Sequence, residues 1–267
     1  MKPPPVRIKA LARHLQTFAP RLKPLRFRVQ NGLHRLFRRC HDRDYEALGS
    51  LCPTPSLALD VGAHYGQSIT SFRILWPEVE IVAFEPLPHL AARLRRLYRR
   101  DPRIRIEAVA LADRSGRARF FVPRYRSYAF DGLASLEREC ARSWLNADTL
   151  LAFDPAKLAL DSFDVPVATL DSYGLSPDVV KIDVQGAEFA VIRGAVATLA
   201  RSRPVLLIEG VEPALLAFLE AQGYRAAVYE QGRLRFDALG ARNTLFVPEE
   251  RLPALAGVRG EGAERAA

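Results

Sequence analysis

Apolar residues in this chain fall into two patterns that take turns. Short runs that close on an acid, LALD at Asp60, EIVAFE at Glu85, VVKID at Asp183 and PVLLIE at Glu209, read as buried strands. Between them apolar residues recur at helical spacing: in ITSFRIL after Gly66, at Leu90, Leu94 and Leu97, and at Phe189, Ile192 and Val196. Asp101-Pro102 stops the second helix, after which RIRIEAVALAD (103–113) alternates as a third strand would, and 117–122 reads as a further strand. Strands and helices alternating at this length predict an α/β fold with a mostly parallel sheet. The pattern then changes: a helix at 213–222 is followed by strands at 225–229 and 233–236 that meet at Gln231-Gly232, and by a closing strand at 243–247. That order predicts an antiparallel hairpin at one C-terminal sheet edge.

The same reading sets boundaries. Pro53 and Pro55 mark the entry to the first strand, so the domain is expected over 53–250, after an extension (1–52) and before a small, polar, mobile tail (251–267). Within it, 123–166 scatters Tyr125, Tyr128, Phe130, Trp144 and Phe153 among polar residues without a period, and is expected to be an irregular substrate lid.

The acids at strand ends are the first sign of chemistry. In an open α/β sheet ligands collect outside the carboxyl ends of the strands, where Asp60, Glu85, Asp113, Asp183 and Glu209 all fall. The turn after Asp60 reads GAHYG, with Gly62 and Gly66 free to take conformations closed to other residues and to let a ligand approach the backbone. A dinucleotide site shows G-x-G-x-x-G and seats a pyrophosphate on a helix N-terminus. Here the spacing is G-x-x-x-G and a carboxylate stands beside it, which disfavours both a diphosphate and a dinucleotide-dependent oxidoreductase. A ligand with cationic groups and a ribose but no phosphate fits better, and S-adenosylmethionine is such a ligand. Glu85, about 20 residues past the turn, is placed to accept hydrogen bonds from ribose hydroxyls.

Charge adds a second feature. The chain of 267 residues carries a net charge of +9, yet residues 1–43 hold twelve Lys and Arg against one acid, Asp42, so the rest is close to neutral. Leu33, Leu36, Phe37 and Cys40 lie at helical spacing in this extension, with Arg35, Arg38 and Arg39 on the other side. A basic amphipathic helix of this kind docks on its own domain, on a twin subunit as a homo-oligomer, on nucleic acid, or as a peripheral contact on a membrane. A nucleic-acid or membrane-surface binding protein acting through this leader is therefore the second reading. Because the basic excess lies outside the domain and no basic strand carries interleaved aromatics, no nucleic-acid partner is expected. Cys40, Cys52 and Cys140 are far apart and the five histidines are scattered, which gives neither a disulfide framework nor a metal site. No apolar run is long enough for a membrane span and the N-terminus lacks a secretory apolar centre, so a cytoplasmic protein is expected.

LDVGAHYGQS, VAFEPLP, AVALADRSG, VATLDSYG and VVKIDVQGAE, in this order from Leu59 to about Gly210, together resemble the FkbM family of S-adenosylmethionine-dependent methyltransferases. The resemblance implies a Rossmann-like methyltransferase sheet, S-adenosylmethionine as cofactor, and methylation of a hydroxyl on a sugar, a glycan or a natural product. It implies that Asp60, Gly62, Ala63, His64 and Gly66 shape the methionine end, that Glu85 holds the ribose and Asp113 the adenine edge, and that Lys181 and Asp183 lie nearest the transferred methyl. His64 stands where the family often has asparagine, and Gln185 where it often has glutamate. Methyl transfer to a hydroxyl needs a proton acceptor, for which Asp183 is the first candidate and His64 the second.

Overall fold

Three helices precede the first strand in the computed structural model, which describes residues 6–252: α1 (Val6–Gln16), α2 (Lys23–Leu36) and α3 (Asp44–Leu51). The chain continues through β1 (Leu57–Val61), α4 (Gln67–Leu75), β2 (Glu80–Phe84), α5 (Pro88–Tyr98), β3 (Ile104–Glu107), β4 (Ala110–Leu111), β5 (Gly116–Tyr125), β6 (Tyr128–Ala129) and α6 (Arg138–Ser143). It closes with β7 (Leu158–Ala168), β8 (Val179–Ile182), α7 (Glu188–Arg193), α8 (Val196–Ser202), β9 (Val205–Glu209), α9 (Pro213–Ala221), β10 (Tyr224–Glu230), β11 (Arg233–Phe236) and β12 (Asn243–Pro248).

Eight strands form one sheet in the order β11-β10-β12-β9-β8-β1-β2-β3. The five from β9 to β3 are parallel, and β12, β10 and β11 add antiparallel partners at one edge. This is the Rossmann-like sheet with its C-terminal edge hairpin. Strand alternation divides its core: Ala58, Ile81, Val179 and Leu207 face α3, α4 and α5, whereas Leu59, Val82, Val180 and Leu206 face α7, α8 and α9. Parallel strands covered on both faces need continuous apolar runs, which is why these segments were legible.

Three stretches differ from the sequence reading. The helix read through Phe189, Ile192 and Val196 is two, α7 and α8, interrupted at Gly194, and Val196 is exposed. RIRIEAVALAD does not form one strand: β3 stays with β2, and after Ala108 the chain crosses so that β4 pairs with β7 in a second sheet, order β4-β7-β5-β6. The stretch 123–166, expected to be irregular, carries most of that sheet. Its long ladder sets Gly116 opposite Val167 and Tyr125 opposite Leu158, and it encloses small cores around Phe120, Val122 and Val165 and around Tyr125, Phe130 and Leu150. The signal was weak because β7 is exposed over much of its length and because Pro123, which reads as a strand terminator, sits inside β5.

The leader packs on the domain. Phe27 of α2 stacks on Tyr65 with ring centroids 4.3 Å apart, Asn31 donates to the Tyr65 carbonyl at 3.0 Å, and Lys23 pairs with Asp131 at 2.5 Å. Of the tail expected over 251–267, Arg251 and Leu252 are described and the remainder lies outside the described residues, as do residues 1–5. Among the described residues no helix is long and apolar enough to cross a membrane.

Candidate cofactor and acceptor site

The sheet reverses its winding at β1, with β2 on one side and β8 on the other, and the crevice outside these strand ends is where such sheets bind ligands. A cavity of about 580 Å³ opens there, within the ~300–1,000 Å³ usual for small-molecule sites.

One wall is the turn after β1. Gly62 and Ala63 both donate their N–H to the Phe84 carbonyl, at 3.0 and 3.1 Å, folding the turn across the end of β2. Gly62 has φ +88°, and a Cβ built on it would stand 1.9 Å from the Asp183 carbonyl oxygen, so only glycine fits between β1 and β8. Gly66, at φ +79°, precedes α4, and a Cβ there would press on Tyr98 and Leu94. His64 is also left-handed, with φ +48°. Its ring lines the cavity, packs edge-on against Phe27, and has a buried Nε2 without a hydrogen-bond partner. Burial lowers the imidazole to about 4, so it is neutral at neutral pH.

Glu85 follows β2 and lines the same cavity while its residue is almost fully buried. One carboxylate oxygen accepts the His64 N–H at 2.8 Å and the other the Leu87 N–H at 2.9 Å. Burial pushes its carboxyl up to about 7 against the pull of these two donors. A ribose held at Glu85 would donate to the ionised form, so affinity for S-adenosylhomocysteine is expected to rise with pH through about 7. Below that point it should fall by up to about tenfold per pH unit. Titrations at several pH values check this, and Glu85→Gln should bind more weakly with a flat profile. A flat profile in the unsubstituted protein would take Glu85 out of the ligand site.

The opposite wall carries two more acids. Ile182 of β8 pairs with Ile208 of β9, which sets the next residues, Asp183 and Glu209, side by side at the cavity. Burial raises Asp183, but the Lys181 ammonium and hydrogen bonds outweigh it and hold the carboxyl at about 2. Burial and the charge of Asp183 push Glu209 up to about 7, although Arg242 lies 3.2 Å from its Oε1. Gln185 donates from Nε2 to Asp183 Oδ1 at 2.7 Å. A glutamate at that position would instead set another negative charge against Asp183.

The structure thus brings Gly62, His64, Glu85 and Asp183 to one cavity and leaves the other sequence candidates off its wall. Asp60 and Lys181 are neighbours in the β1/β8 register and project together toward α3 and α4. Asp60 is fully buried, 3.4 Å from Lys181 Nζ, which also donates to the Gly62 carbonyl at 3.2 Å and lies 3.5 Å from Asp183. Lys181 ties the strand ends from behind the wall. Ala63 and Gly66 are buried within the turn. Asp113 is outside the lining because the chain leaves the main sheet before it, and its carboxylate lies 2.5 Å from Arg193; Val109, Ala110 and Leu111 line the cavity in that region.

Several lining residues went unnominated from sequence: Asp131, Arg13, Arg242 and, although noted at a strand end, Glu209; Trp144 comes from the stretch expected to form the substrate lid. Asp131 is buried and held at about 2, because hydrogen bonding to His89 and the Lys23 charge outweigh the effect of burial. No local pattern marks Asp131 or Arg13, which reach the cavity from the second sheet and from the leader. Among the described residues no cluster of His, Cys, Asp and Glu is arranged to hold a metal ion.

Comparison with known proteins decides the family, since residues 60–226 match the methyltransferase FkbM domain. The chain belongs to the FkbM methyltransferase family. It is similar to the 2-O-methyltransferase NoeI of Sinorhizobium fredii (strain NBRC 101917 / NGR234), 32% identical over 156 residues that cover 57% of this chain and 61% of NoeI. It is also similar to the AMB antimetabolite synthetase AmbE of Pseudomonas aeruginosa, 29% identical over 62% of this chain and 9% of AmbE. The chain therefore spans less than two thirds of the length of these curated relatives. Among solved structures, the methyltransferase FkbM from Methylobacillus flagellatus KT aligns with a TM-score of 0.44 and 15% identity over 72% of this chain and 43% of that one. The cofactor is S-adenosylmethionine, and the residues present fit it: Glu85 offers a buried carboxylate at the cavity, and beside it the buried Nε2 of His64 has no hydrogen-bond partner.

Proposed function

We propose that the protein transfers a methyl group from S-adenosylmethionine to a hydroxyl oxygen of a sugar, a glycan or another hydroxylated natural product. The observation that carries this reading is the pair Asp183 and Glu209, two carboxylates with opposed proton affinities on the wall of the cavity that also holds Glu85. When bound, the cofactor supplies an electrophilic methyl on a sulfonium. Glu85 would hold its ribose, with Gly62 and His64 beside it in the turn. Asp183, kept ionised by Lys181, would accept the hydrogen bond of the acceptor hydroxyl and orient it. The pair then takes the proton, with Glu209 as the member of higher proton affinity. The neutral His64 binds a proton too weakly to compete.

The remaining lining supports the acceptor class. Trp144, 40% exposed, offers a ring to the apolar face of a sugar, while the carboxylates on the wall can accept hydrogen bonds from its hydroxyls. The 2-O-methyltransferase activity in the name of NoeI supports transfer to oxygen. Calorimetric titration with S-adenosylhomocysteine, followed by single-turnover methyl transfer to a panel of sugar acceptors with the methylated atom located by NMR, tests the reading. Transfer to nitrogen, or to RNA, would overturn it.

A further inference from the structure

The outer face of the leader is not used by anything described above. Among the described residues, nine of the fifteen large hydrophobic side chains that are exposed lie between Leu11 and Phe37. On α2 they form one stripe: Leu22, just ahead of the helix, then Leu25, Val29, Leu33 and Leu36 follow at steps of three and four residues. Leu11 and Leu15 of α1 and Phe18 in the turn after it are exposed as well. The opposite side of α2 is the buried one, with Phe27 on Tyr65 and Asn31 bonded to the Tyr65 carbonyl, so the stripe faces away from the domain.

Charge identifies what would cover it. Arg21, Arg26, Arg28, Arg35, Arg38 and Arg39 are exposed beside the stripe, and the sequence has no acid before Asp42. The turn after α5 extends the positive region, since Arg100 lines one groove with Arg35 and Arg38 next to the exposed Leu97, the one acid there, Asp101, being paired with Arg73. A second copy docked through this face would set arginines against arginines, because a two-fold interface pairs a patch with itself. A nucleic acid would neutralise the arginines but leave the leucines and Phe37 in water. An anionic lipid surface satisfies both halves, taking apolar side chains into the acyl boundary and arginines at the headgroups.

We propose that α1 and α2 form a peripheral membrane-binding surface selective for anionic lipid. Its inner face meanwhile holds Lys23 on Asp131 and Phe27 on His64, so docking would set the cavity close to the lipid surface. Flotation of the full chain with vesicles tests the proposal independently of methyl transfer. Strong binding is expected to phosphatidylcholine–phosphatidylserine vesicles and weak binding to phosphatidylcholine alone. The anionic partition should fall at least about tenfold in Leu25→Gln/Leu33→Gln and in Arg28→Gln/Arg38→Gln, and also with added salt. All four side chains are exposed, so unchanged thermal unfolding and unchanged S-adenosylhomocysteine affinity should accompany the loss. Absent vesicle binding, or binding indifferent to Leu25→Gln/Leu33→Gln, would overturn the proposal. So would a dimer seen by sedimentation that this variant dissolves, or oligonucleotide binding without vesicle binding.

Discussion

Gly62→Ala is expected to abolish measurable S-adenosylhomocysteine binding and to destabilise the fold by about 3 kcal/mol or more. Two independent costs add. The backbone at φ +88° is one that alanine adopts only with strain, and the new methyl would lie 1.9 Å from the Asp183 carbonyl oxygen, far inside contact distance. That oxygen belongs to backbone at the end of β8, so relief requires β1 and β8 to part at their carboxyl ends. The same ends carry Gly62, Asp183 and, behind them, the Lys181 tie. Gly32→Ala is the control: nothing lies within 4 Å of its added methyl on α2, and the helix should gain about 0.5–1 kcal/mol. Chemical denaturation and calorimetry on both variants check the pair. Retained affinity in folded Gly62→Ala would move the ligand away from this turn.

Removing either carboxylate from the opposite wall should slow methyl transfer by about 10²–10⁴-fold while changing S-adenosylhomocysteine affinity little. The two variants separate in their pH profiles. In the unsubstituted protein Glu209 stands at about 7, so the single-turnover rate should climb as pH rises through that value and the group becomes able to take a proton. Glu209→Gln removes this limb. In Asp183→Asn the like charge that helps to raise Glu209 is gone, so the limb should move to lower pH at a reduced rate. Asp183→Asn also leaves Lys181 paired with Asp60, which keeps the buried ammonium compensated and the fold intact. Equal rates for the unsubstituted protein and both variants would remove the pair from the chemistry.

The alternation of strands and helices, the glycine turn after β1, the edge hairpin and the acids at strand ends are legible along the chain. These features rest on local causes: burial on both sheet faces demands continuous apolar runs, and a turn this tight needs backbone conformations that glycine adopts readily. Which of these acids line the cavity depends on tertiary packing. Strand parity turned Asp60 and Lys181 together toward α3 and α4, behind the wall. The adjacency of β8 and β9 placed Glu209 beside Asp183, and the loop before β12 brought Arg242 to them. The crossing after Ala108 carried Asp113 to Arg193 instead of the cavity, and a half-exposed second sheet with weak alternation brought Asp131 and Trp144. The leader's charge and spacing were likewise plain in the sequence, but only packing showed that Phe27 and Lys23 are its inner face and the leucine stripe its outer one. A period along the chain says that a helix has two faces, whereas the neighbours it meets in space decide which face is buried.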